Sequence, residues 1–252
     1  MSLQPGIVWI IGGGSGIGAA VARLMARRGW TVIISGRRQE RLAEVAGDTA
    51  RIHTLPLDVT NDDAVSVAAQ RIAARHGRID LVLFGAAAWQ PMDVGDYGLE
   101  KFSTIVDTNF MGFVRVANAA IAQFRRQGGG QLAAIASVAG YFGLPRAAAY
   151  SSTKAAMINL LETMRTELAP ERITVRMVAP GFVKSEATAR NDFEMPFLME
   201  TDAAAERIVD GLTGSDRFEV AFPRRMVWLM KAIRLLPYPV FFAAMARLIR
   251  KG

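Results

Sequence analysis

The chain has 252 residues, of which 51% are hydrophobic and 21% charged, enough apolar side chain for one large α/β core and too much for global disorder. There is no cysteine, and the two histidines, His53 and His76, lack ligand spacing, which argues against disulfides, thiol nucleophiles, a metal site and a histidine-based triad. The net charge of +7 sits at one end: residues 224–252 carry Arg224, Arg225, Lys231, Arg234, Arg247, Arg250 and Lys251 with no acidic residue, leaving the rest at 23 against 23, which is not the uniformly basic surface of a nucleic-acid binder.

The opening MSLQPGIVWI lacks a basic leader and runs straight into a strand pattern, so no signal peptide is expected. Apolar, β-rich runs recur at 7–11, 31–35, 51–57, 81–84, 131–136, 174–179 and 218–221. Helical patterns fall between them, including 16–28, 62–76, 100–126 and 148–168. Continuous apolar strands alternating with helices predict a doubly wound parallel sheet of the Rossmann type, in three layers. Composition shifts near Pro223, which predicts a unit over 1–223 and a basic, amphipathic helical tail over 224–252. No stretch is long and apolar enough for a transmembrane helix. The absence of cysteine fits a reducing compartment, and a cytoplasmic protein is expected, with a membrane-peripheral tail as one reading.

The first strand runs into Gly12-Gly13-Gly14-Ser15-Gly16-Ile17-Gly18, which opens a helix. Glycines there allow a tight turn and close approach of backbone to a pyrophosphate, and the helix N-terminus offers free N–H groups. At the end of the second strand, where an acidic residue would hold the ribose hydroxyl of NAD(H), stands Gly36-Arg37-Arg38. Arg37 and Arg38 suit a 2′-phosphate, so NADP(H) is expected over NAD(H). The bland alternative is a pair of solvated arginines at a helix start. Asp58 and Val59 follow the third strand, placed to meet the adenine end; alternatively Asp58 caps the helix beginning near Asn61.

Tyr150-Ser151-Ser152-Thr153-Lys154 puts a phenol and an ammonium at i and i+4, on one helical face. A tyrosine titrates near pH ~10. A lysine charge about 4 Å away contributes roughly 4 kcal/mol at an effective dielectric of ~20, on the order of three pKa units. The expectation is a phenol drawn towards neutral pH, where acid–base catalysis works best. The spacing also arises by chance in many helices. Ser137, thirteen residues earlier, closes a strand-like run and gives the pair company.

Together the residues resemble the short-chain dehydrogenase/reductase family in its single-domain form. The match spans roughly 5–222 and rests on the glycine turn ending in Gly16-Ile17-Gly18, on Asp58, on Asn109 in Thr108-Asn109-Phe110-Met111-Gly112, on Ser137, Tyr150 and Lys154, and on Pro180-Gly181-Phe182-Val183. The resemblance implies an oxidoreductase that moves a hydride between NADP(H) and a carbonyl or secondary alcohol. It implies that Tyr150 is the general acid in reduction, that Lys154 lowers its pKa and holds the nicotinamide ribose, and that Ser137 hydrogen-bonds the substrate oxygen. Asn109 would hold a water of a proton relay, and Pro180, Gly181 and Val183 would line the nicotinamide pocket. The helices over 100–126 and 148–168 would make a homodimer or homotetramer. A non-catalytic cofactor sensor and a membrane-surface interaction protein on the same fold are the alternatives.

Two places depart from the family pattern. Ile11 stands where threonine is usual, and Phe84-Gly85-Ala86-Ala87 stands where Asn-Asn-Ala-Gly is usual. In the family a side-chain hydrogen bond links these places, and replacing both ends can be nearly neutral. Gly85 and Ala86 would then form the floor of the nicotinamide site.

The segment 185–200, with Phe193, Met195, Phe197, Leu198 and Met199, is expected to set substrate specificity, and Trp89, Pro91, Tyr141 and Phe142 to stand near the pocket mouth. They suggest an apolar substrate. In the tail, Met226, Leu229, Met230, Ile233 and Leu236 share one helical face. After Pro237 and Pro239, Phe241, Phe242, Met245, Leu248 and Ile249 oppose Arg247, Arg250 and Lys251. Such a segment either lies on a membrane surface or packs on the parent domain or a second subunit.

Overall fold

The structure, a computed structural model, describes residues 3–96, 98–191 and 193–249. Its strands are β1 (Ile7–Ile11), β2 (Thr31–Gly36), β3 (Ile52–Pro56), β4 (Leu81–Phe84), β5 (Gly130–Ile135), β6 (Ile173–Pro180) and β7 (Glu219–Phe222). The α-helices are α1 (Gly16–Arg27), α2 (Gln39–Ala46), α3 (Asp62–His76), α4 (Leu99–Val106), α5 (Gly112–Gln127), α6 (Ala148–Glu167), α7 (Thr201–Gly214), α8 (Arg224–Arg234) and α9 (Tyr238–Ile249). One seven-stranded sheet runs in the order β3-β2-β1-β4-β5-β6-β7, parallel throughout.

Apolar residues on successive sides of each strand build the two faces. Val8, Ile10, Val32, Ile34, Leu81 and Leu83 meet α1, α2 and α7. Trp9, Ile11, Ile33, Val82 and Phe84 meet α3, α5 and α6. The central strands are therefore buried on both sides, as continuous apolar runs require. β3 lies at the edge, and of its five residues only Ile52 is buried. The Trp9 indole donates to the Ser35 hydroxyl at 2.9 Å, which satisfies the polar atom of a fully buried ring.

The run expected as one helix over 100–126 is interrupted. A π-helical turn, Asp107–Met111, joins α4 to α5. Asn109 sits within it: its side chain is wholly buried and clasps the backbone of Ala88, accepting from the amide at 2.6 Å and donating to the carbonyl at 3.0 Å. Such turns shift helical register by one residue and are frequent at functional sites. α2 and α7 lie outside the helices named from sequence.

The tail folds back on the domain. Met226, Val227, Met230, Phe241 and Met245 form a satellite core with Val138 and Phe142, and the rings of Phe142 and Phe241 meet edge-on at 5.3 Å. Each such burial is worth about 1.5–3 kcal/mol. Lys231 pairs with Glu219, which also accepts from the Tyr141 hydroxyl at 2.6 Å. Much of the predicted apolar stripe is thus spent on the parent domain, although Leu229 and Leu236 of that stripe are exposed. Tyr141 and Phe142 face this tail and β7 rather than a pocket mouth. Arg250 and Lys251 lie outside the described residues, as do the side chains of Arg247, Leu248 and Ile249.

Candidate active site

A parallel sheet delivers every strand's outgoing loop to one edge. Gly12, Arg37, Asp58, Gly85, Ser137 and Gly181 all follow the C-terminal ends of strands and so gather there. The crevice lies where strand order reverses, between β1 and β4, the usual ligand position in doubly wound sheets.

The glycine turn is a cradle that side chains would fill. Gly12 has φ 85°, and a Cβ there would stand 2.6 Å from the Ala86 nitrogen. A Cβ on Gly18 would lie 2.2 Å from the Gly12 carbonyl oxygen, so α1 enters flush against the turn. Gly16, Ile17 and Gly18 head α1 with amides free of helical partners. Ser15 precedes them in extended conformation without capping the helix through its hydroxyl. A cavity of about 370 Å³ opens beside Gly14, Ser15, Gly16, Arg41 and Ser185. Its lining mixes Arg23, Arg41 and Lys184 with Glu44, Glu186 and Asp202, so it is the glycine cradle and the helix N-terminus that fit the phosphates of a dinucleotide.

Arg37 and Arg38 stand exposed at the start of α2. Arg38 reaches Glu186 at 3.3 Å and Arg41 reaches it at 3.4 Å, so the loop after β6 is paired with the start of α2, which the sequence does not reveal. Asp58 accepts from the amide of Thr60 at 3.0 Å and from its hydroxyl at 2.8 Å. The amide bond, against the opposing effect of burial and with help from the hydroxyl and from Arg37, holds this carboxyl below its usual range. The cap of α3 is Asn61, which accepts from the Ala64 amide at 2.9 Å, so Asp58 does not serve as that cap. Val59 is buried against α5, where a Cβ on Gly112 would come within 2.7 Å of it.

The departure at Ile11 is packed, not polar. Ile11 is fully buried among Trp9, Val82 and Phe84, and its carbonyl accepts from the Gly85 amide at 2.7 Å. We expect Ile11→Thr to lower stability by about 1–3 kcal/mol, because it loses apolar burial and adds a hydroxyl with no partner waiting. A denaturant melt checks this, and a higher midpoint for the mutant would contradict it.

Ser137, Tyr150 and Lys154 converge at the C-terminal end of β5. The Ser137 oxygen accepts from the Ala139 amide at 3.1 Å and lies 3.4 Å from the Pro180 carbonyl. Tyr150, in the first turn of α6, is hydrogen-bonded with Ser137. Lys154, one turn on, is 2% exposed; its ammonium donates to the Ile135 carbonyl at 2.7 Å and stands 5.5 Å from the centre of the Tyr150 ring. Thr153 joins Asn109 to the same helix, accepting from the Asn109 amide at 3.3 Å.

The electrostatics differ from the sequence expectation. Burial pushes the Tyr150 phenol up, with the Ser137 hydrogen bond acting the other way. Burial pushes Lys154 down to about 7. A lysine half-neutral at pH 7, with its proton aimed at Ile135, pulls on the phenol less than the full charge assumed from i,i+4 spacing. Desolvation is a property of the assembled site, which five residues of sequence do not display.

Trp89 closes the other side, its ring edge-on to Tyr150 at 5.0 Å and its indole donating to Asn191 at 3.0 Å. Asn191 in turn bonds Met195, so the loops after β4 and β6 are joined across the site. The base of the 185–200 segment is pinned by Lys184 donating to Met199 and Met199 donating to Phe182. Val183 is buried there, Phe182 meets Phe193 at 5.9 Å, and Phe193, Phe197 and Leu198 remain exposed. Gly181 lies beneath the tail: a Cβ there would come 2.5 Å from the Met226 sulfur.

The model of the short chain dehydrogenase family matches residues 6–195. An uncharacterized oxidoreductase of Myxococcus xanthus is 36% identical over 95% of this chain and 96% of its own length. Another, from Staphylococcus haemolyticus, is 31% identical over 81% of this chain and 89% of its own. A solved structure described as a short chain dehydrogenase from Burkholderia cenocepacia in complex with NADP superposes with a TM-score of 0.85 at 24% identity, covering 97% of this chain and 99% of that one. Fold, glycine cradle and family match agree: the chain belongs to the short-chain dehydrogenase family.

Proposed function

We propose that the protein is an NADP(H)-dependent oxidoreductase acting on an apolar carbonyl or the matching secondary alcohol. The observation that carries this reading is the convergence of Ser137, Tyr150 and Lys154 beside the glycine cradle. Held in the glycine cradle, a nicotinamide cofactor would supply hydride chemistry at the carbonyl carbon. Tyr150 gives its phenolic proton to the carbonyl oxygen, and the hydroxyl of Ser137 hydrogen-bonds that oxygen as charge develops. The raised pKa keeps Tyr150 protonated at neutral pH, the form a proton donor needs. Lys154, with a pKa near 7, is positioned to exchange a proton and to orient the ribose. Asn109, through Ala88 and Thr153, fixes the loop after β4 against α6. Gly12, Gly14, Ser15, Gly16, Ile17, Gly18, Asp58, Val59, Gly85, Ala86, Pro180, Gly181 and Val183 make up the cofactor's bed, and Arg37 with Arg38 takes the 2′-phosphate. The proposed assembly is a homodimer or homotetramer through α4, α5 and α6.

The test is NADPH and NADH oxidation across a panel of apolar aldehydes and ketones. The expected result is turnover with NADPH tighter than NADH by about tenfold or more, falling towards parity in Arg37→Asp/Arg38→Asp, since each charged hydrogen bond is worth about 1.5–3 kcal/mol. Tighter NADH binding by the unmodified chain overturns the NADP(H) assignment. Binding of NADPH with no turnover of any carbonyl or alcohol favours a cofactor sensor instead.

A further inference from the structure

The tail hides one apolar set and displays another. Of the fourteen large apolar side chains exposed among the described residues, seven fall between 228 and 242. Trp228 is 71% exposed, Leu235 85%, Tyr238 64% and Phe242 60%. Trp228 and Leu235 are seven residues apart, which returns them to the same side of α8. Tyr238 and Phe242 stack at 5.7 Å on α9. Leu235 and Tyr238 stand at the two ends of the turn of this helical hairpin, with Trp228 seven residues before Leu235 and Phe242 four after Tyr238. The opposite side of the same hairpin packs through Met226, Met230, Phe241 and Met245 in the satellite core.

Charge says what covers this tip. Arg224, Arg225 and Arg234 are exposed, Lys231 is answered by Glu219, and no acidic residue occurs anywhere in 224–252. A symmetric contact between two copies through this patch would set these arginines near their own images, with no carboxylate of the segment to answer them. A surface of anionic headgroups answers them, and tryptophan and tyrosine favour the boundary between headgroup and hydrocarbon. α8 and α9 have eleven and twelve residues, and no helix among the described residues is long and apolar enough to cross a membrane, so the hairpin lies in the plane.

We propose that the α8–α9 hairpin docks the protein on an anionic phospholipid surface, with Trp228, Leu235, Tyr238 and Phe242 entering the interface and Arg224, Arg225 and Arg234 meeting the headgroups. Of the docked set only Phe242 belongs to the amphipathic stripe in the sequence, whose Met226, Met230, Phe241 and Met245 are committed to the domain. The hairpin also rests on Val138 and Gly181, next to Ser137 and Pro180, which sets the lipid-facing side close to the candidate site. The surface stands on the tail alone and is independent of the hydride reading.

The full-length chain supplies its own probe. Trp9 and Trp30 are buried and Trp89 packs on Tyr150, whereas Trp228 meets water. Vesicles of phosphatidylglycerol mixed with phosphatidylcholine should bind the chain about tenfold better than phosphatidylcholine alone, and raising NaCl from about 0.05 M to about 0.5 M should weaken the binding. Tryptophan emission should shift to the blue on binding, and Trp228→Tyr should lose the shift while keeping the circular dichroism spectrum and melting midpoint of the unmodified chain. Arg224→Glu/Arg225→Glu/Arg234→Glu should lower the bound fraction by about tenfold or more. If that triple variant fails to fold, Leu235→Ser/Phe242→Ser, which changes only exposed side chains, serves in its place and should also lower binding. Equal binding to both vesicle types, binding without a change in emission, or a lipid-free dimer by light scattering that itself produces the blue shift overturns the proposal.

Discussion

Tyr150→Phe is expected to lower kcat/KM for NADPH-dependent carbonyl reduction by about 10²–10⁴-fold, or about 3–5 kcal/mol of transition-state stabilisation. The substitution removes one oxygen and keeps the ring that packs edge-on against Trp89. The fold should change by no more than about 1 kcal/mol, because a single hydrogen bond to Ser137 is lost while a buried polar group is also removed. NADPH affinity should stay within about twofold, which separates a lost proton donor from a damaged cofactor bed. Steady-state kinetics with a parallel cofactor titration measure both. Activity surviving the mutation would falsify the role given to Tyr150.

Lys154→Met should remove activity and, at low pH, make the protein more stable. Burial depresses the lysine to about 7 from the usual 10.5 of a free side chain. The sign follows from proton counting. Below pH about 7 both folded and unfolded chains bind the proton, and the folded state carries the whole cost of burying the charge. Between about 7 and 10.5 the folded lysine is neutral while the unfolded one is still charged, so that cost shrinks as pH rises. At about 1.36 kcal/mol per unit, the full cost is on the order of 5 kcal/mol. Part of the relief in the mutant is cancelled by the Ile135 carbonyl, which loses its donor at about 1–3 kcal/mol. The mutant should therefore melt higher than the unmodified chain at pH 6, and its advantage should fall by about 2–3 kcal/mol by pH 9. Thermal melts at the two pH values read this directly. A mutant less stable at pH 6 and relatively better at pH 9 would show that the ammonium of Lys154 stabilises the fold. The stability gained would illustrate a catalytic group kept at the expense of folding.

Much of this molecule is legible in its sequence, for local reasons. The glycine turn between a strand and a helix, the continuous apolar strands and the alternation with helices each depend on a few adjacent residues, and they predict the parallel sheet that the structure shows. Strand positions match to within one or two residues because period and turn chemistry are short-range. The position of Tyr150 and Lys154 on one helical turn was equally readable, since i and i+4 always share a face.

What the tertiary structure decided depends on groups far apart in the chain. The titration of Tyr150 and Lys154 is governed by desolvation and by the Ile135 carbonyl, nineteen residues from Lys154, so spacing alone pointed the phenol the wrong way. Asn109, within a π turn, grasps Ala88 from the loop after β4, a contact that helical periodicity cannot encode. Trp89, Asn191 and Glu186 join the site through partners about a hundred or more residues away. In the tail, an amphipathic pattern established that one side is apolar, but only packing against Val138 and Phe142 settled which side is used by the domain and which stays exposed. Period is a property of neighbouring residues, whereas burial is a property of whatever the folded chain brings alongside them.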